Sequence, residues 1–287
     1  MIPAGFEYHV PSSVEDTIRL LSEYEDAKVL AGGHSLLPMM KLRFAEPAHL
    51  VDINGLTELK GIRRDGDTIC IGAMTSENAL IDSVLLQEHC PVVVDAAKLI
   101  ADPQVRNRGT IGGDIAHGDP GNDHPAVMLA LDAEFTIQGP EGIRTKSASE
   151  FFLGTYWTDL AEDELLTEIR VPVCQQGTGH GFHKFKRKTG DFATAASPVV
   201  IKLDGDVCRD IRIALTNVAP MAIRVETAED LLRGQVISDA LIEQAIEQVK
   251  SACDPAEDLR GDVEYKTHMA GEMARRSIDD ALARAKR

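Results

Sequence analysis

The sequence is poor in cysteine, and the few it has are scattered. Its five cysteines are Cys70, Cys90, Cys174, Cys208 and Cys253. No C-x-x-C pair occurs, and an odd number of thiols does not suggest a disulfide framework. Iron–sulfur clusters and structural zinc sites need clustered thiolates. We therefore expect a reducing, cytoplasmic location and no metal cofactor on this chain.

Positive charge is also scarce. Thirty Lys and Arg oppose 46 Asp and Glu, which gives a formal net charge of -16. Such a surface repels nucleic-acid phosphates and anionic lipids. No apolar run approaches the length of a membrane span, and the segment from Met1 to Pro11 lacks the pattern of an export signal. Nucleic acid and membrane are therefore poor partners, although contact with the inner face of the membrane stays open.

Standard nucleotide-binding and catalytic motifs are missing. Neither G-x-G-x-x-G nor G-x-x-x-x-G-K-[ST] occurs, which argues against Rossmann and P-loop folds. No Ser-His-Asp pattern, no reactive cysteine and no pair of carboxylates within a recognisable structural frame is visible. We assign no catalytic residue to this chain.

The hydrophobic periodicity alternates between strand and helix and predicts an α+β protein of three units. Turn residues place the boundaries at 1–55, 56–176 and 177–287. The first unit reads as strand, helix, strand, followed by a short turn around Pro38 and a further strand. The last unit contains an antiparallel meander that turns at Gly205 and then a helical tail.

Two glycine pairs, Gly32-Gly33 and Gly112-Gly113, are the clearest candidate site. Each is expected to follow a strand end, where glycine permits a tight turn and exposes backbone N–H groups. A single pair is typical of an ordinary turn. Because two pairs could donate to the same anion, a diphosphate held between two lobes is a reasonable hypothesis.

The stretch from Ala101 to Asp123 is crowded with turn-forming residues. Asp123 is placed as an N-cap for the apolar helix that follows. His117 and His124, together with Asp119 and Asp123, could be imagined as metal ligands. No regular frame fixes them, so solvated or capping roles are favoured.

The segment from His183 to Lys188 is the one strongly basic cluster. It could be a solvated strand edge, where lysines discourage aggregation. Alternatively, strand periodicity would direct Lys184 and Lys186 to one face, where they would suit a phosphate or a cofactor carbonyl. Both interpretations remain open at the level of these residues.

A family resemblance extends along the whole chain. It is carried by A-G-G-H-S-L-L-P-M-M-K-L-R at 31–43 and T-I-G-G-D-I-A at 110–116, with further likeness at 2–11, 119–123 and 184–193. These motifs resemble the FAD-binding medium subunits of molybdenum hydroxylases, most of all those of the aerobic carbon monoxide dehydrogenase type. The resemblance implies a two-lobed FAD-binding unit of the vanillyl-alcohol-oxidase (PCMH) type and a C-terminal three-stranded antiparallel sheet with helices.

The resemblance also implies a set of FAD-binding residues. The first lobe would contribute Val29, Leu30, Ala31, Gly32, Gly33, His34, Ser35 and Leu36. The rest of the chain would contribute Ile100, Ala101, Thr110, Ile111, Gly112, Gly113, Asp114, Asp123, Leu166, Lys184 and Phe192. Asp114 stands where relatives usually carry Asn, and Phe192 where some carry Tyr beside the flavin ring.

The function that the resemblance implies is electron transfer. A large subunit with molybdenum cofactor would oxidise the substrate, and a small subunit with [2Fe–2S] clusters would pass electrons to FAD here. An external acceptor, quinone, cytochrome or NAD, would then be reduced by a dimer of heterotrimers. Two alternatives are a self-sufficient flavin reductase of the enolpyruvyl-reductase type and a flavin-free scaffold subunit.

Overall fold

The N-terminal sheet is a small parallel sheet with strand order β1-β3-β2, in a computed structural model that describes residues 1–286. Its elements are β1 (Glu7–His9), α1 (Val14–Glu23), β2 (Ala27–Leu30), α2 (Leu36–Leu42) and β3 (His49–Asp52). Helix α1 begins at Ser13, whose side chain accepts a hydrogen bond from the Asp16 N–H. Its apolar face, including Ile18 and Leu21, is buried. The strand, helix, strand prediction is confirmed.

The turn predicted around Pro38 is wrong, because Pro38 lies inside α2. It is the third residue of that helix. The first N–H groups of an α-helix have no intrahelical acceptor, so a residue without an N–H is tolerated there. The helix ends at Arg43, which adopts a left-handed conformation with φ 62°.

The central sheet is antiparallel, with order β4-β5-β10-β6-β7. This part of the chain starts with a 3-10 turn (Thr57–Leu59), β4 (Ile62–Asp65), β5 (Thr68–Gly72), α3 (Glu77–Asp82), α4 (Val84–His89) and α5 (Pro91–Leu99). It continues with α6 (Pro103–Arg108), α7 (Ile111–His117), α8 (Asp123–Ala130), β6 (Glu134–Gly139) and β7 (Gly142–Ser147). It ends with α9 (Ala148–Phe151), β8 (Phe152–Gly154), β9 (Trp157–Thr158) and β10 (Leu165–Pro172). Helices α5, α7 and α8 pack in one apolar core with this sheet.

Two local predictions in this region need correction. The second glycine pair does not follow a strand end but lies in the first turn of α7, which Thr110 caps by accepting a hydrogen bond from the Gly113 N–H at 3.2 Å. Asp123 is not the N-cap of α8. Asn122 takes that position, and the Asp123 carboxylate is used in an ion pair instead.

The C-terminal sheet contains the predicted antiparallel meander and gains a two-residue strand at its edge. Its elements are β11 (Thr178–Phe185), β12 (Ala195–Asp204), β13 (Val207–Leu215), β14 (Ile223–Arg224), α10 (Glu226–Leu232), α11 (Asp239–Ser251) and α12 (Val263–Ala285). A Cβ on Gly179 would lie 1.9 Å from the Ala281 carbonyl oxygen, and one on Gly181 would lie 2.1 Å from that of Ser277. Both glycines therefore permit the close contact between β11 and α12. Within residues 1–286, no helix is long and apolar enough to cross a membrane.

Candidate cofactor-binding site

The loop between β2 and α2 presents a row of unused backbone donors. Within the described residues, none of the N–H groups from Gly32 to Ser35 donates a hydrogen bond to a protein acceptor. Ser35 is the N-cap of α2 and makes no side-chain capping bond. Successive backbone N–H groups beside a helix N-terminus are suited to an anion.

The backbone conformation and the close packing of the first loop both require glycine at positions 32 and 33. Gly33 has φ +79°, a conformation that side chains rarely adopt. A Cβ on Gly32 would lie 2.4 Å from the Arg108 carbonyl oxygen and 2.9 Å from the Gly109 Cα. The loop is therefore pressed against the end of α6, in the neighbouring lobe.

The second glycine pair is built differently from the first. Its N–H groups already have protein partners: Gly112 donates to the Ala73 carbonyl at 2.9 Å, and Gly113 donates to Thr110 Oγ1. The Asp114 N–H donates to the Thr110 carbonyl. The expectation that both pairs donate N–H groups to one anion is therefore not met, since only the first loop has free donors. The second pair instead lets the start of α7 pack closely against Ala73, and it lies at the positive end of the α7 dipole.

The two glycine pairs nonetheless adjoin. A Cβ on Gly113 would be 3.6 Å from the Ala31 Cβ. Asn54 joins the two sides, because its Nδ2 donates to the Ala31 carbonyl at 2.7 Å and its Oδ1 accepts from Arg108 Nη2 at 3.4 Å. The structure thus brings together the predicted residues Ala31, Gly32, Gly33 and Gly113.

The segment after α5 forms a second part of the candidate site. Ala101 has φ +41°, which is strained for a residue with a side chain. Arg106 Nη1 donates to the carbonyls of Ile100 at 2.8 Å and Ala101 at 3.4 Å and so holds this turn. Lys186 Nζ donates to the carbonyl of Leu99 at 2.8 Å.

Lys184 links β11 to this second part. Its Nζ pairs with the Asp123 carboxylate and lies 3.4 Å from the Leu99 carbonyl oxygen. Lys186 follows the last residue of β11, and its Nζ reaches the same Leu99 carbonyl as that of Lys184, so the two side chains point the same way, as the periodicity predicts. Both are anchored to protein groups, and the Lys184 side chain is only 2% exposed, so it does not form a solvated edge.

Phe192 is half-exposed beside the loop before α8. Its ring lies 3.1 Å from the position of a Cβ on Gly121. The Asp191 carboxylate accepts from the Phe192 N–H at 2.9 Å and pairs with both Arg187 and Arg260. The Arg260 guanidinium also lies 5.6 Å from the centre of the Phe192 ring. The position of this ring is therefore fixed from several sides.

A buried polar cluster lies beneath α7. His124 Nε2 contacts Glu77 Oε2 at 2.8 Å, and both side chains are almost fully buried. Burial alone would lower the pKa of His124, but the Glu77 carboxylate raises it to about 9. The prediction of a solvated or capping role for His124 is therefore wrong, because its imidazolium is an internal ion-pair partner. His117 is half-buried on α7, and its ring is tilted by 51° against that of Tyr156 at a centroid distance of 5.0 Å.

Asp114 belongs to the same cluster. Its Oδ2 is buried without a hydrogen-bond partner in residues 1–286. Burial raises the pKa of this carboxyl to about 7, and the carboxylates of Glu77 and Asp123 add to the effect. The residue is partly exposed as a whole, but this oxygen points away from solvent.

Leu166 is separated from the other predicted site residues. It is 3% exposed and packs in the core of the central sheet, where it pairs with Ile137. Other residues that position the site were not predicted, namely Asn54, Arg106, Arg108 and Glu77. Asn54 precedes Gly55 after a strand, a pattern that is typical of any strand-ending turn. No local pattern distinguishes a buried Glu from an exposed one.

Comparisons with known proteins agree along the entire chain. A family model described as "FAD binding domain in molybdopterin dehydrogenase" matches residues 4–174, and one described as "CO dehydrogenase flavoprotein C-terminal domain" matches residues 180–281. The carbon monoxide dehydrogenase medium chain of Hydrogenophaga pseudoflava is 57% identical and is matched over 99% of both chains. The nicotine 6-hydroxylase medium subunit of Paenarthrobacter nicotinovorans is 37% identical, again over 99% of each chain.

Solved structures give the same result. A carbon monoxide dehydrogenase structure from Hydrogenophaga pseudoflava matches with a TM-score of 0.97 at 58% identity, covering 99% of both chains. Quinoline 2-oxidoreductase from Pseudomonas putida 86 matches with a TM-score of 0.93 at 31% identity, with the same coverage. The α+β fold inferred from the resemblance is confirmed. The chain belongs to the family of FAD-binding medium subunits of molybdenum-containing hydroxylases.

Proposed function

We propose that this chain is the FAD-carrying electron-transfer subunit of a molybdenum hydroxylase of the carbon monoxide dehydrogenase type. The observation that carries the proposal is the row of free N–H donors from Gly32 to Ser35 beside Gly113. Such a row is complementary to a diphosphate. The family membership supports FAD as the molecule that supplies this diphosphate.

The residues present fit this cofactor. Glycine at 32, 33 and 113 leaves the backbone open to a close approach. The buried oxygen of Asp114 points away from solvent and carries a raised pKa, so the carboxyl does not oppose a nearby anion at mildly acidic pH. The doubt that Asp114 raises at the sequence level is thereby reduced.

We further propose a role for each part of the site. The first lobe, residues 29–36, would hold the diphosphate. Residues 100–101 and 110–114, with Asp123, would hold the phosphates, the ribose and the adenine side. Lys184 would act through Asp123, and the exposed ring of Phe192 would stack near the flavin. Leu166 would serve as core support. The proposed unit boundaries lie after residues 55 and 176.

FAD, when bound, can exchange electrons singly or in pairs. The chain's own residues bind the cofactor and orient it. We propose large molybdenum-cofactor and small iron–sulfur partner subunits, assembled as a dimer of heterotrimers in the cytoplasm. Cell fractionation would decide whether the assembly contacts the inner face of the membrane. The relatives' names support carbon monoxide as the substrate of the assembly. Quinone, cytochrome or NAD would accept the electrons.

Co-purification of the tagged chain with its partners tests the proposal. We expect large and small subunits, one FAD per medium chain, and carbon monoxide oxidation by the assembly with a dye acceptor. The isolated chain should take up FAD but oxidise no small substrate. An isolated chain that binds no FAD would contradict the assignment.

Neither alternative is supported by the relatives. Oxidation or reduction of a small substrate by the isolated chain would favour the self-sufficient reductase. A stable complex without flavin would favour the scaffold. Because the relatives named as medium chains match over the whole length, the electron-transfer subunit remains the proposal.

A further inference from the structure

A cluster of two histidines and a glutamate lies on one face of the N-terminal sheet. Glu7 and His9 are two residues apart in β1, so both side chains project from the same face. His49 pairs with Glu7 in the neighbouring strand β3. Tyr8, between them, is directed elsewhere and its hydroxyl donates to the Asp52 carboxylate. None of these residues belongs to the proposed flavin site.

The potential ligand atoms converge. His9 Nε2 lies 3.0 Å from His49 Nδ1, and His49 Nδ1 lies 3.8 Å from Glu7 Oε2. All three ligand atoms are within 4.8 Å of one another. A tetrahedral ion with bonds of about 2.0–2.1 Å holds its ligand atoms about 3.3 Å apart. A shared ion therefore needs shifts of a few tenths of an ångström in the imidazoles and a rotation of Glu7, whose side chain is 74% exposed and free to move.

The two imidazoles are already oriented. The Tyr24 ring stacks on both, with centroid distances of 4.7 Å to His9 and 4.4 Å to His49. Because this stacking holds both imidazoles in place, it lowers the entropy cost of ordering them when an ion binds. The backbone register between β1 and β3 fixes the spacing further.

The donor set selects a class of ion. Two imidazole nitrogens and one carboxylate oxygen suit Zn²⁺, Ni²⁺, Co²⁺ or Cu²⁺, whereas Mg²⁺ and Ca²⁺ prefer oxygen alone. At 3.0 Å, one ring must donate its N–H to the other. Metal binding needs only a change of tautomer in that ring, because a neutral imidazole has one nitrogen to spare.

We propose that Glu7, His9 and His49 form a binding site for one Zn²⁺ ion, with solvent completing the coordination. The ion would tie β1 to β3 and so fasten the N-terminal strand to its sheet. Its three protein ligands leave a coordination position open to solvent. We assign the ion a structural role because no residue of the proposed cofactor site is among its ligands. The sequence offers no sign of it, because 40 positions separate His9 from His49.

A metal titration of the purified full-length chain tests the site. The chain is first treated with a chelator to remove bound metal, and the chelator is then removed. With Zn²⁺ in calorimetry we expect one equivalent at micromolar affinity and a rise in Tm. Co²⁺ should give the absorption of a nitrogen- and oxygen-ligated ion. A thiolate charge-transfer band would instead identify a cysteine ligand and overturn the proposal.

Three variants localise the binding. His49→Gln should weaken Zn²⁺ binding at least tenfold, and the exposed Glu7→Gln should weaken it severalfold without affecting folding. His268→Gln, which removes an exposed histidine of α12, is the matched control and should bind as the wild type does. If His49→Gln fails to fold, Zn²⁺ binding by Glu7→Gln and His9→Gln decides whether the ion binds at this cluster. No binding by the wild type, or equal binding by all variants, would overturn the site.

Discussion

Lys184 of β11 and Asp123 of α8 form an ion pair whose side chains are only 2% and 3% exposed. The pair joins the C-terminal sheet to the helix that follows the second glycine pair. Lys184 contacts Asp123 Oδ2, and the buried Oδ1 of the same carboxylate accepts no hydrogen bond within residues 1–286. Because the charges have little access to water, each depends on the other.

Lys184→Ala should therefore be strongly destabilising. It leaves a buried carboxylate without its cation, and we expect a loss of about 3–5 kcal/mol in the free energy of unfolding, together with weakened FAD binding or a changed flavin potential. Urea unfolding and FAD titration measure the two effects. Lys188→Ala, at an exposed position of the same basic segment, is the control. Equal effects of the two substitutions would return Lys184 to the role of a solvated edge.

The glycine pairs give a second prediction. Gly33→Val imposes a side chain at φ +79°, and Gly113→Val places a Cβ 2.8 Å from Thr110 Oγ1 and beside Ala31. Each should weaken FAD binding at least tenfold, as measured by flavin content and fluorescence titration. The control is Gly55→Val, where a Cβ would meet nothing within 4 Å. Full flavin content in both Gly33→Val and Gly113→Val would remove the two loops from the site.

Asp114 should make stability depend on pH. Burial raises its folded pKa to about 7, above the unfolded value of about 3.9. The folded state therefore keeps a proton that the unfolded state releases, so stability falls as pH rises from about 4 to 7. Asp114→Asn removes this slope. Between pH 4.5 and pH 7 the wild type should therefore lose about 2–4 kcal/mol more of its free energy of unfolding than Asp114→Asn does.

Urea unfolding at several pH values from 4.5 to 7 checks this slope. The pairing of His124 with Glu77 contributes stability that is complete below the unfolded pKa of about 6.5 and is lost as pH rises from there to about 9. Because both proteins keep this pair, its small loss near pH 7 largely cancels in the difference between the wild type and Asp114→Asn. Parallel profiles for the wild type and Asp114→Asn would show that the Asp114 carboxyl ionises normally.

Ala101 gives a test of backbone strain. At φ +41° glycine is tolerated better than alanine, and this gain offsets the entropy that glycine costs in the unfolded chain. Ala101→Gly should stay within about 0.5 kcal/mol of the wild type, whereas Ala79→Gly, at an exposed helical position of α3, should cost about 1 kcal/mol. Equal losses in thermal unfolding would contradict strain at Ala101.

Local patterns predicted much of the secondary structure. Alternation and helical spacing placed β1, α1, β3 and the meander of β11 to β13, because burial of one face imposes a period of two or 3.6 residues. The prediction fails at Pro38 because a proline in the first turn of a helix has the same sequence pattern as a proline in an ordinary turn. Gly112 and Gly113 were misplaced for a similar reason, since glycine in a helix is uncommon and its packing against Ala73 is not visible in the chain.

The sequence by itself determined the family, the glycine pairs and the common direction of the Lys184 and Lys186 side chains, because each depends on residues close together in the chain. Only the tertiary structure decided which partners these residues meet. It assigned free N–H donors to the first pair alone, placed His124 against Glu77, and buried Asp114 among other carboxylates. The contacts behind these outcomes join distant segments: Glu77 and His124 are 47 positions apart, and Ala31 and Gly113 are about 80 apart. A pattern of neighbouring residues does not encode such contacts.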